Sequence, residues 1–366
     1  FSPMATTQAT PPPNAASPRP PGRKRRRSRT RKLISRYFGY ALLVAGHAVV
    51  SRLPLSVGLA LSRWVGALSG VFMRPLHRRA FENLQRVYGD ELTDRELSRR
   101  VREVFQHSVA TAIEWVIVRR WSNDRLRQHY GDAGERLVQM EREVKASGGG
   151  VVGFTAHFGN WEVLSLLVHR FAPGLLVPIA KRAYFEKYQT FIHDLRTHDG
   201  MEVIYNDESP RRLIRAIRKG QLLGLLPDQD LRTNSGVFVD FFGKPTYTVT
   251  FPVDLARKLN VKMICVYLVR VPGALSGRTH GYYALVSDLL DVPHTDDVKK
   301  DVLDGTQLWT SILEAKIREY PSQWCWMYPR WRSKPGDPRL PHGLRKLRRE
   351  QSASSTQNSL TTPSKA

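Results

Sequence analysis

The sequence predicts an α/β fold with a mixed, mostly parallel central sheet that is flanked by helices. Seven short apolar runs have the length and composition of buried strands, and helical stretches separate several of them. Strands that alternate with helices are typical of this fold class. The predicted strands are 151–156, 175–180, 202–205, 222–226, 237–242, 261–269 and 282–286. The predicted helices are 161–170, 184–197, 210–219, 248–259 and 297–320, with several short helices over 80–145.

The positive charge of the chain is concentrated at its N-terminus. The 366 residues carry a formal net charge of +24, yet residues 1–79 contain fifteen Lys or Arg and no acid. The rest of the chain holds 42 basic and 33 acidic side chains and is only mildly basic. Two cysteines, Cys265 and Cys325, are too few for a disulfide framework or a metal cluster, so we expect buried, inert thiols. A reducing compartment fits this composition.

The N-terminal segment is best interpreted as a membrane anchor. A basic run, 23–36, precedes residues 37–51, which include no charged side chain, and the apolar character resumes over 53–62. The uncharged run is shorter than the roughly 20 residues of a spanning helix. An interfacial or shallowly inserted anchor that faces the cytoplasm therefore fits better. Three alternatives stay open: a signal peptide, a nuclear or nucleic-acid-binding cluster, and a soluble core helix with a basic tail.

Composition divides the chain into four predicted parts. Residues 1–22 are rich in Pro, Ala, Thr and Ser and predict a disordered tail. Residues 23–65 form the basic segment and a membrane-anchoring helix. Residues 66–335 form the catalytic domain, and residues 336–366 form a basic and then disordered C-terminal tail.

The most informative junction joins a predicted buried strand to His157, with Glu162 five residues later. In one continuous helix the two side chains would point roughly 140° apart, because each residue turns about 100°. They converge only if a turn intervenes, and Gly159 and Asn160 are turn formers; Asn160 can then cap a helix that starts at Trp161. A His held by a carboxylate at a strand end is a general-base arrangement. The alternative is a strand-end His beside an exposed Glu.

Two further carboxylates follow another apolar run. Asp228 and Asp230 flank Gln229 directly after a predicted strand. Such a pair can bind a divalent metal, as in sugar-nucleotide transferases, or one member can orient a cationic side chain. A solvated turn is the alternative.

Basic and aromatic residues mark other element ends. Arg196 stands before Gly200, which fits a helix C-cap, so Arg196 serves either the helix dipole or a substrate. Lys181 and Arg182 follow a strand and are placed to meet an anionic substrate. The segment 321–331 contains three Trp and predicts packing that closes the sheet and lines an apolar groove.

Several motifs stand in order along the chain and together carry a family resemblance. They are the helix around Asn83 and Leu84, Ala-His-Phe-Gly-Asn-Trp-Glu at 156–162, Arg196 with Gly200, Pro-Asp-Gln-Asp at 227–230, 236–245, Leu-Ala-Arg at 255–257, and Pro-x-Gln-Trp-x-Trp at 321–326. In this order they resemble the bacterial lipid A biosynthesis acyltransferases of the late acyltransferase type, the lauroyl and myristoyl transferases that use acyl carrier protein thioesters. The likeness runs from the N-terminal anchor to about Pro335.

The resemblance implies a mechanism. His157 deprotonates a lipid hydroxyl, and Glu162 orients the imidazole and steadies its positive charge. The alkoxide attacks an acyl thioester, and hydrogen-bond donors stabilise the oxyanion. Arg196 and Asp228 belong to the active site, with Arg196 on a substrate phosphate or in an ion pair with Asp228. Further substrate-binding residues are expected at Arg182, Asn160 and Trp161. The implied fold is like that of glycerol-3-phosphate acyltransferases, and no cofactor or metal is expected.

Two departures from the family pattern leave the acceptor open. The family often has Asn-Pro after its substrate-side Arg, where this chain has Ala-Tyr at 183–184. The closing motif usually continues with His-Arg-Arg, where this chain has Met-Tyr-Pro-Arg at 327–330. Both places are expected to touch the acceptor. A related branch of the family acylates phosphatidylinositol mannosides.

The expected function is therefore a membrane-associated O-acyltransferase. It would move a fatty acyl chain from acyl carrier protein, or from coenzyme A, to a hydroxyl of a lipid A precursor or related glycolipid, with no nucleic-acid partner. The expected location is the cytoplasmic face of the inner membrane of a Gram-negative-type bacterium, where basic residues meet anionic headgroups. The alternatives are a phosphatidylinositol mannoside acyltransferase, a metal-dependent glycosyltransferase that uses Asp228 and Asp230, and a non-enzymatic binding protein.

Overall fold

The computed structural model of the chain describes residues 29–232, 235–276, 281–337 and 340, without the side chains of 29–32. The tail predicted at 1–22, the first part of the basic segment, and nearly all of the C-terminal tail predicted at 336–366 lie outside these residues. The expected single anchoring helix over 23–65 corresponds to two helices. The second of them continues to Phe72.

The central sheet confirms the predicted α/β class. Its six strands are β1 (Val151–Phe154), β2 (Leu176–Ala180), β3 (Ile204–Tyr205), β4 (Leu222–Leu225), β7 (Met263–Arg270) and β8 (Tyr282–Val286). They lie in the order β3-β2-β4-β1-β7-β8, and all neighbours are parallel except the pair of β7 and β8. A ligand site in such a sheet lies at the carboxyl ends of the parallel strands.

Helices flank the sheet and extend the chain before it. They are α1 (Arg29–Val50), α2 (Leu55–Phe72), α3 (Arg74–Tyr88), α4 (Asp94–Val118), α5 (Asn123–Ala146), α6 (Trp161–Phe171), α7 (Glu186–Thr197), α8 (Pro210–Arg218), α9 (Phe251–Leu259) and α10 (Val298–Glu319). The region predicted as several short helices over 80–145 contains the end of α3, the long helix α4, and α5, which a non-helical Gly131 divides into two shorter helices. Thr93 begins α4 with a reciprocal capping box to Glu96.

Two neighbouring predicted segments differ from the structure. The strand predicted at 237–242 pairs outside the central sheet, because β5 (Gly236–Asp240) and β6 (Pro245–Val249) form a separate antiparallel hairpin. The helix predicted from 248 begins only at Phe251. The physical reason is the run Thr246-Tyr247-Thr248, whose β-branched and aromatic side chains favour a strand. Pro252 then suits the first turn of a helix.

The sheet separates two apolar cores, because successive side chains of a strand point to opposite faces. On one face Phe154 stacks on Trp309 of α10, with ring centroids 5.2 Å apart. On the other face Val151 packs among buried residues of α5 and α6. The second face matters for the site, because α6 starts four residues after His157.

The helices α1 and α2 present apolar side chains to the solvent. Each contains an 18-residue stretch, Leu33–Val50 and Leu55–Phe72, that is long and apolar enough to cross a membrane. The exposed large apolar residues here are Leu33, Ile34, Tyr37, Phe38, Leu42, Leu43, Val44, Val49, Val57, Leu61, Trp64, Val65, Leu68, Val71 and Phe72. The inner face of α2 is built differently. Its buried residues are Gly58, Ser62, Gly66 and Ser69.

Small residues let α2 lie unusually close to α4. An added Cβ at Gly58 would stand 2.6 Å from Ile117 Cδ1, and one at Gly66 would stand 2.5 Å from Gln106 Cα. Both distances are shorter than a carbon contact allows. The apolar outer face of α2 is therefore fixed to the body of the protein through α4.

A buried ion pair joins α4 to the central sheet. Glu114 and Arg270 are almost fully buried, and Arg270 Nη2 donates to Glu114 Oε2 at 2.5 Å. Asn160 Nδ2 donates to the same oxygen at 2.5 Å, and the Tyr282 hydroxyl donates to Oε1. The Arg270 guanidinium is not fully satisfied, because Nε and Nη1 have no partner among the described residues. Loss of the carboxylate would leave that cation buried without compensation.

We predict that Glu114→Gln lowers the free energy of unfolding by about 3–5 kcal/mol, the usual effect of removing one member of a buried ion pair. Chemical denaturation of purified protein in detergent measures this value. Glu82→Gln is the matched control, because its pair with Arg78 is exposed and should contribute about 1 kcal/mol or less. Equal stabilities of the two variants would contradict the prediction.

Candidate active site

The turn that carries His157 forms as the sequence predicted. After β1 the chain turns at Gly159, which has a φ of +63° and whose added Cβ would lie 2.0 Å from the carbonyl oxygen of Leu268. Only glycine fits there. Asn160 then caps α6, because its Oδ1 accepts the backbone N–H of Val163 at 3.1 Å. His157 is thereby held at the carboxyl edge of the sheet.

The imidazole of His157 binds Asp228, not Glu162. The ring Nδ1 lies 2.8 Å from Asp228 Oδ1. The backbone N–H of His157 donates to the other oxygen, Oδ2, at 3.0 Å. The indole N–H of Trp324 donates to the same Oδ2 at 3.0 Å. The expectation that Glu162 orients the imidazole is therefore corrected: the orienting contact that the structure describes comes from Asp228, which is only 1% exposed.

The register of the sheet explains this pairing. In the parallel pair of β1 and β4, Phe154 lies opposite Leu225. His157 and Asp228 each stand three residues beyond those partners, so they leave adjacent strands at the same edge. Equal spacing after two apolar runs is a signal that the sequence contains. It becomes usable only once β1 and β4 are known to be neighbours.

Asp228 is suited to remain ionised. Burial alone would raise its pKa, but the charge of His157 and the hydrogen bonds from His157 and Trp324 together outweigh it, so the pKa lies below its usual range. An ionised carboxylate beside Nδ1 favours the imidazole tautomer whose proton sits on Nδ1. Nε2 then carries the lone pair, as a general base requires.

Glu162 forms a separate ion pair with Arg196. Arg196 Nη2 lies 2.5 Å from Oε1 and Nε lies 3.2 Å from Oε2, so the contact is bidentate. Burial alone would lower the pKa of Arg196, but the charge of Glu162 and its hydrogen bond raise it overall. The expected pair of Arg196 with Asp228 is not formed. Glu162 sits in the first turn of α6 and faces α7, while Asp228 emerges from β4.

Three more side chains surround the imidazole. Gln229 Nε2 is 3.4 Å from Nδ1 and 3.3 Å from Nε2 of His157. Such equal distances place the amide over the ring face, because an in-plane position would collide with the ring carbons. The rings of Trp161 and Tyr328 approach edge-on, with centroids 5.1 Å and 4.9 Å from the imidazole. Trp161 was expected at the site, whereas the roles of Gln229 and Trp324 were not.

The remaining predicted residues are engaged elsewhere. Asp230 accepts the backbone N–H of Ser333 at 2.7 Å and thereby holds the chain just after the segment 321–331. Arg182 is bound by Asp207 at 2.9 Å and stacks on Tyr205. Asp230 and Asp228 therefore serve different neighbours. Within the described ranges, His, Cys, Asp and Glu form no group of three that could hold a metal ion.

An apolar slot lies between α6 and the sheet, and Trp161, whose ring approaches the imidazole, is one of its lining residues. Gly153 and Gly224 are paired across β1 and β4 and open space beneath the helix. The slot has a volume of about 60 Å³. Its lining residues are Met140, Gly153, Phe154, Thr155, Trp161, Leu164, Ser165, Val168, Leu176, Pro178, Leu222, Gly224, Leu226 and Val266. Trp161 links the slot to His157.

The known proteins to which this chain is similar are all described as acyltransferases. Residues 25–333 match the family described as bacterial lipid A biosynthesis acyltransferase. The phosphatidylinositol mannoside acyltransferase of Mycobacterium tuberculosis (strain ATCC 25618 / H37Rv) is 30% identical over 192 residues, 51% of this chain and 56% of that protein. The lipid A biosynthesis palmitoleoyltransferase of Escherichia coli (strain K12) is 21% identical over 290 residues, 78% of this chain and 88% of that protein. The chain thus spans little more than half of the mycobacterial relative.

We predict that Asp228 makes the stability of the protein depend on pH in the acid range. Because its folded pKa lies below the unfolded value of 3.8, its charged form stabilises the fold above about pH 4. This contribution is lost as the pH falls through the folded pKa. The difference in unfolding free energy between wild type and Asp228→Asn should be about 1–3 kcal/mol near pH 6 and shrink below pH 4.

Denaturant unfolding between pH 3 and pH 7 measures this difference. The control is Asp124→Asn, whose carboxylate is almost fully exposed and should change stability little at any pH. A difference for Asp228→Asn that stays constant down to pH 3 would refute the assigned electrostatics.

Proposed function

This chain belongs to the bacterial lipid A biosynthesis acyltransferase family, and we propose that it transfers a fatty acyl group from a thioester to a hydroxyl of a glycolipid. The observation that carries the proposal is the pair of His157 and Asp228, which an apolar slot approaches through the shared neighbour Trp161. A base close to an apolar space is what direct transfer of an acyl group requires.

The proposed reaction needs one base and no protein nucleophile. Nε2 of His157 takes the proton of the acceptor hydroxyl while the oxygen attacks the thioester carbonyl. Asp228 stabilises the imidazolium that forms, and the imidazolium then protonates the departing thiolate. The nearby thiol of Cys325 is not a candidate nucleophile, because burial raises its pKa to about 12 and keeps it protonated.

Glu162 and Arg196 are proposed to position the site. Their bidentate pair ties the first turn of α6 to α7, and α6 begins four residues after His157. The pair therefore supports the turn that holds the base. It also places a guanidinium at the same edge of the sheet, where a phosphate of an anionic acceptor would find a positive neighbour.

Membrane attachment is proposed to come from α1 and α2. Their exposed apolar side chains suit the acyl region of a bilayer, while the basic residues that precede them suit anionic headgroups. Aromatic contacts join α1 to α7, including Tyr40 with Phe191 at 6.5 Å between ring centroids. The proposed location is the cytoplasmic face of the cytoplasmic membrane, where an acyl carrier protein or coenzyme A thioester is available.

Two acceptors fit the proposed chemistry. A lipid A precursor is supported by the family match and by the enterobacterial relatives. A phosphatidylinositol mannoside is supported by the higher identity to the mycobacterial relatives. Both are glycolipids that carry phosphate and sugar hydroxyls. Mass spectrometry of the lipids made when the chain is expressed in a strain without its own late acyltransferases distinguishes them, because the acylated lipid identifies the acceptor.

We predict that His157→Ala lowers kcat by about 10²–10⁴-fold, the range of a general base, while the protein stays folded. The assay follows acyl transfer from acyl carrier protein or coenzyme A thioesters to detergent-dispersed glycolipids. His169→Ala is the control, because that side chain lies on the far end of α6 and binds the carbonyl of Asp199. Wild-type turnover by His157→Ala would refute the mechanism.

We also predict that the wild-type reaction is insensitive to EDTA. The mechanism uses no metal, because each of the two carboxylates at 228 and 230 is held by N–H donors of the protein. A metal-dependent glycosyltransferase, the alternative chemistry for this pair, would lose activity on chelation. Loss of acyl transfer in EDTA that is restored by a divalent metal would contradict the proposed reaction.

A further inference from the structure

The hydroxyl of Thr155 is buried and has no hydrogen-bond partner among the described residues. Its backbone N–H is engaged, donating to the carbonyl of Leu225 at 2.8 Å. The side chain lines the apolar slot, together with Trp161. Valine has nearly the same shape without the polar group and would suit an apolar lining better. We therefore expect this unpaired hydroxyl to form a hydrogen bond with a ligand that enters the slot.

The position of Thr155 links the slot to the base. Side chains alternate along a strand, so Thr155 shares the face of Gly153, which lies beneath α6. His157 follows two residues later at the carboxyl edge of the sheet. The slot has a volume of about 60 Å³ and holds only a short part of an acyl chain. A chain whose first carbons enter it past Thr155 and Trp161 would place its thioester carbonyl near the hydroxyl and the imidazole.

The backbone N–H groups of the turn at 157–160, here called the catalytic turn, already donate hydrogen bonds within the protein. His157 N–H donates to Asp228, and Phe158 N–H donates to the carbonyl of Ala156. The N–H groups of Gly159 and Asn160 donate to the carbonyls of Gln323 and Leu268, at 2.9 Å and 2.7 Å. The oxyanion of an acyl transfer needs a hydrogen-bond donor. None of the four N–H groups at 157–160 is free to bind it, because each already donates to another group.

We propose that the Thr155 hydroxyl donates a hydrogen bond to the thioester carbonyl oxygen and to the oxyanion that develops from it. The inference rests on the proposed acyl transfer at His157. The acceptor hydroxyl gives its proton to His157 Nε2 as the new C–O bond forms, and the carbonyl π electrons move to the oxygen that Thr155 binds. When they return, the C–S bond breaks and the thiolate takes the proton from the imidazolium.

The test compares Thr155→Val, which removes the hydroxyl at constant shape, with Thr155→Ser, which keeps it. We expect Thr155→Val to lower kcat by about 10²–10³-fold, the usual effect of losing one oxyanion donor, with little change in KM. Thr155→Ser should stay within about fivefold of wild type. The melting temperature of Thr155→Val should equal or exceed that of wild type, because the substitution removes an unpaired buried polar group.

The readouts separate this inference from the proposed function. If wild type transfers acyl groups, His157→Ala does not, and Thr155→Val matches wild type in kcat, the role of Thr155 is overturned and the acyltransferase proposal stands. A loss of kcat that is as large in Thr155→Ser as in Thr155→Val, or one that accompanies a lower melting temperature, also overturns it. Failure of the wild type itself to transfer acyl groups refutes the proposed function first.

Discussion

The buried carboxylate of Glu114 holds together the elements that surround the turn at 157–160. It accepts hydrogen bonds from Arg270 on β7, from Asn160 at the start of α6, and from Tyr282 on β8. Arg270 in turn exchanges two backbone hydrogen bonds with the side chain of Gln323. A charged network in a dry interior tolerates little rearrangement, because each unpaired member is strongly penalised there. The start of α6, directly after the turn, is thus held in place by α4, β7 and β8 together.

The contact between His157 and Asp228 depends on strand order. Parallel neighbours end at one edge of a sheet, and β1 lies between β4 and β7. His157 and Asp228 reach each other because their strands are adjacent and in register, whereas Glu162 belongs to the helix that leaves that edge toward α7. Asp228 also accepts a hydrogen bond from Trp324, so the segment 321–331 helps to hold the carboxylate that contacts His157.

Local sequence patterns were sufficient for the fold class and for the strand, turn and helix around His157. Gly159 and Asn160 act within a few residues of the chain, so their roles follow from spacing alone. The partner of His157 did not follow, because a contact across 71 residues depends on which strands become neighbours. The hairpin of β5 and β6 was missed for a related reason: its pairing lies outside the sheet, and a helix that begins at Phe251 follows its second strand closely.

The close packing of α2 on α4 has a kinetic consequence for the proposed membrane enzyme. α4 also binds the turn at 157–160 directly, because the Thr111 hydroxyl donates to the carbonyl of Gly159 at 2.9 Å. A bilayer held by α2 would therefore lie at a constant height from His157, with no flexible linker between them. Such an enzyme responds to the mole fraction of its acceptor within the membrane plane, and added neutral lipid dilutes the substrate without any change in its bulk concentration.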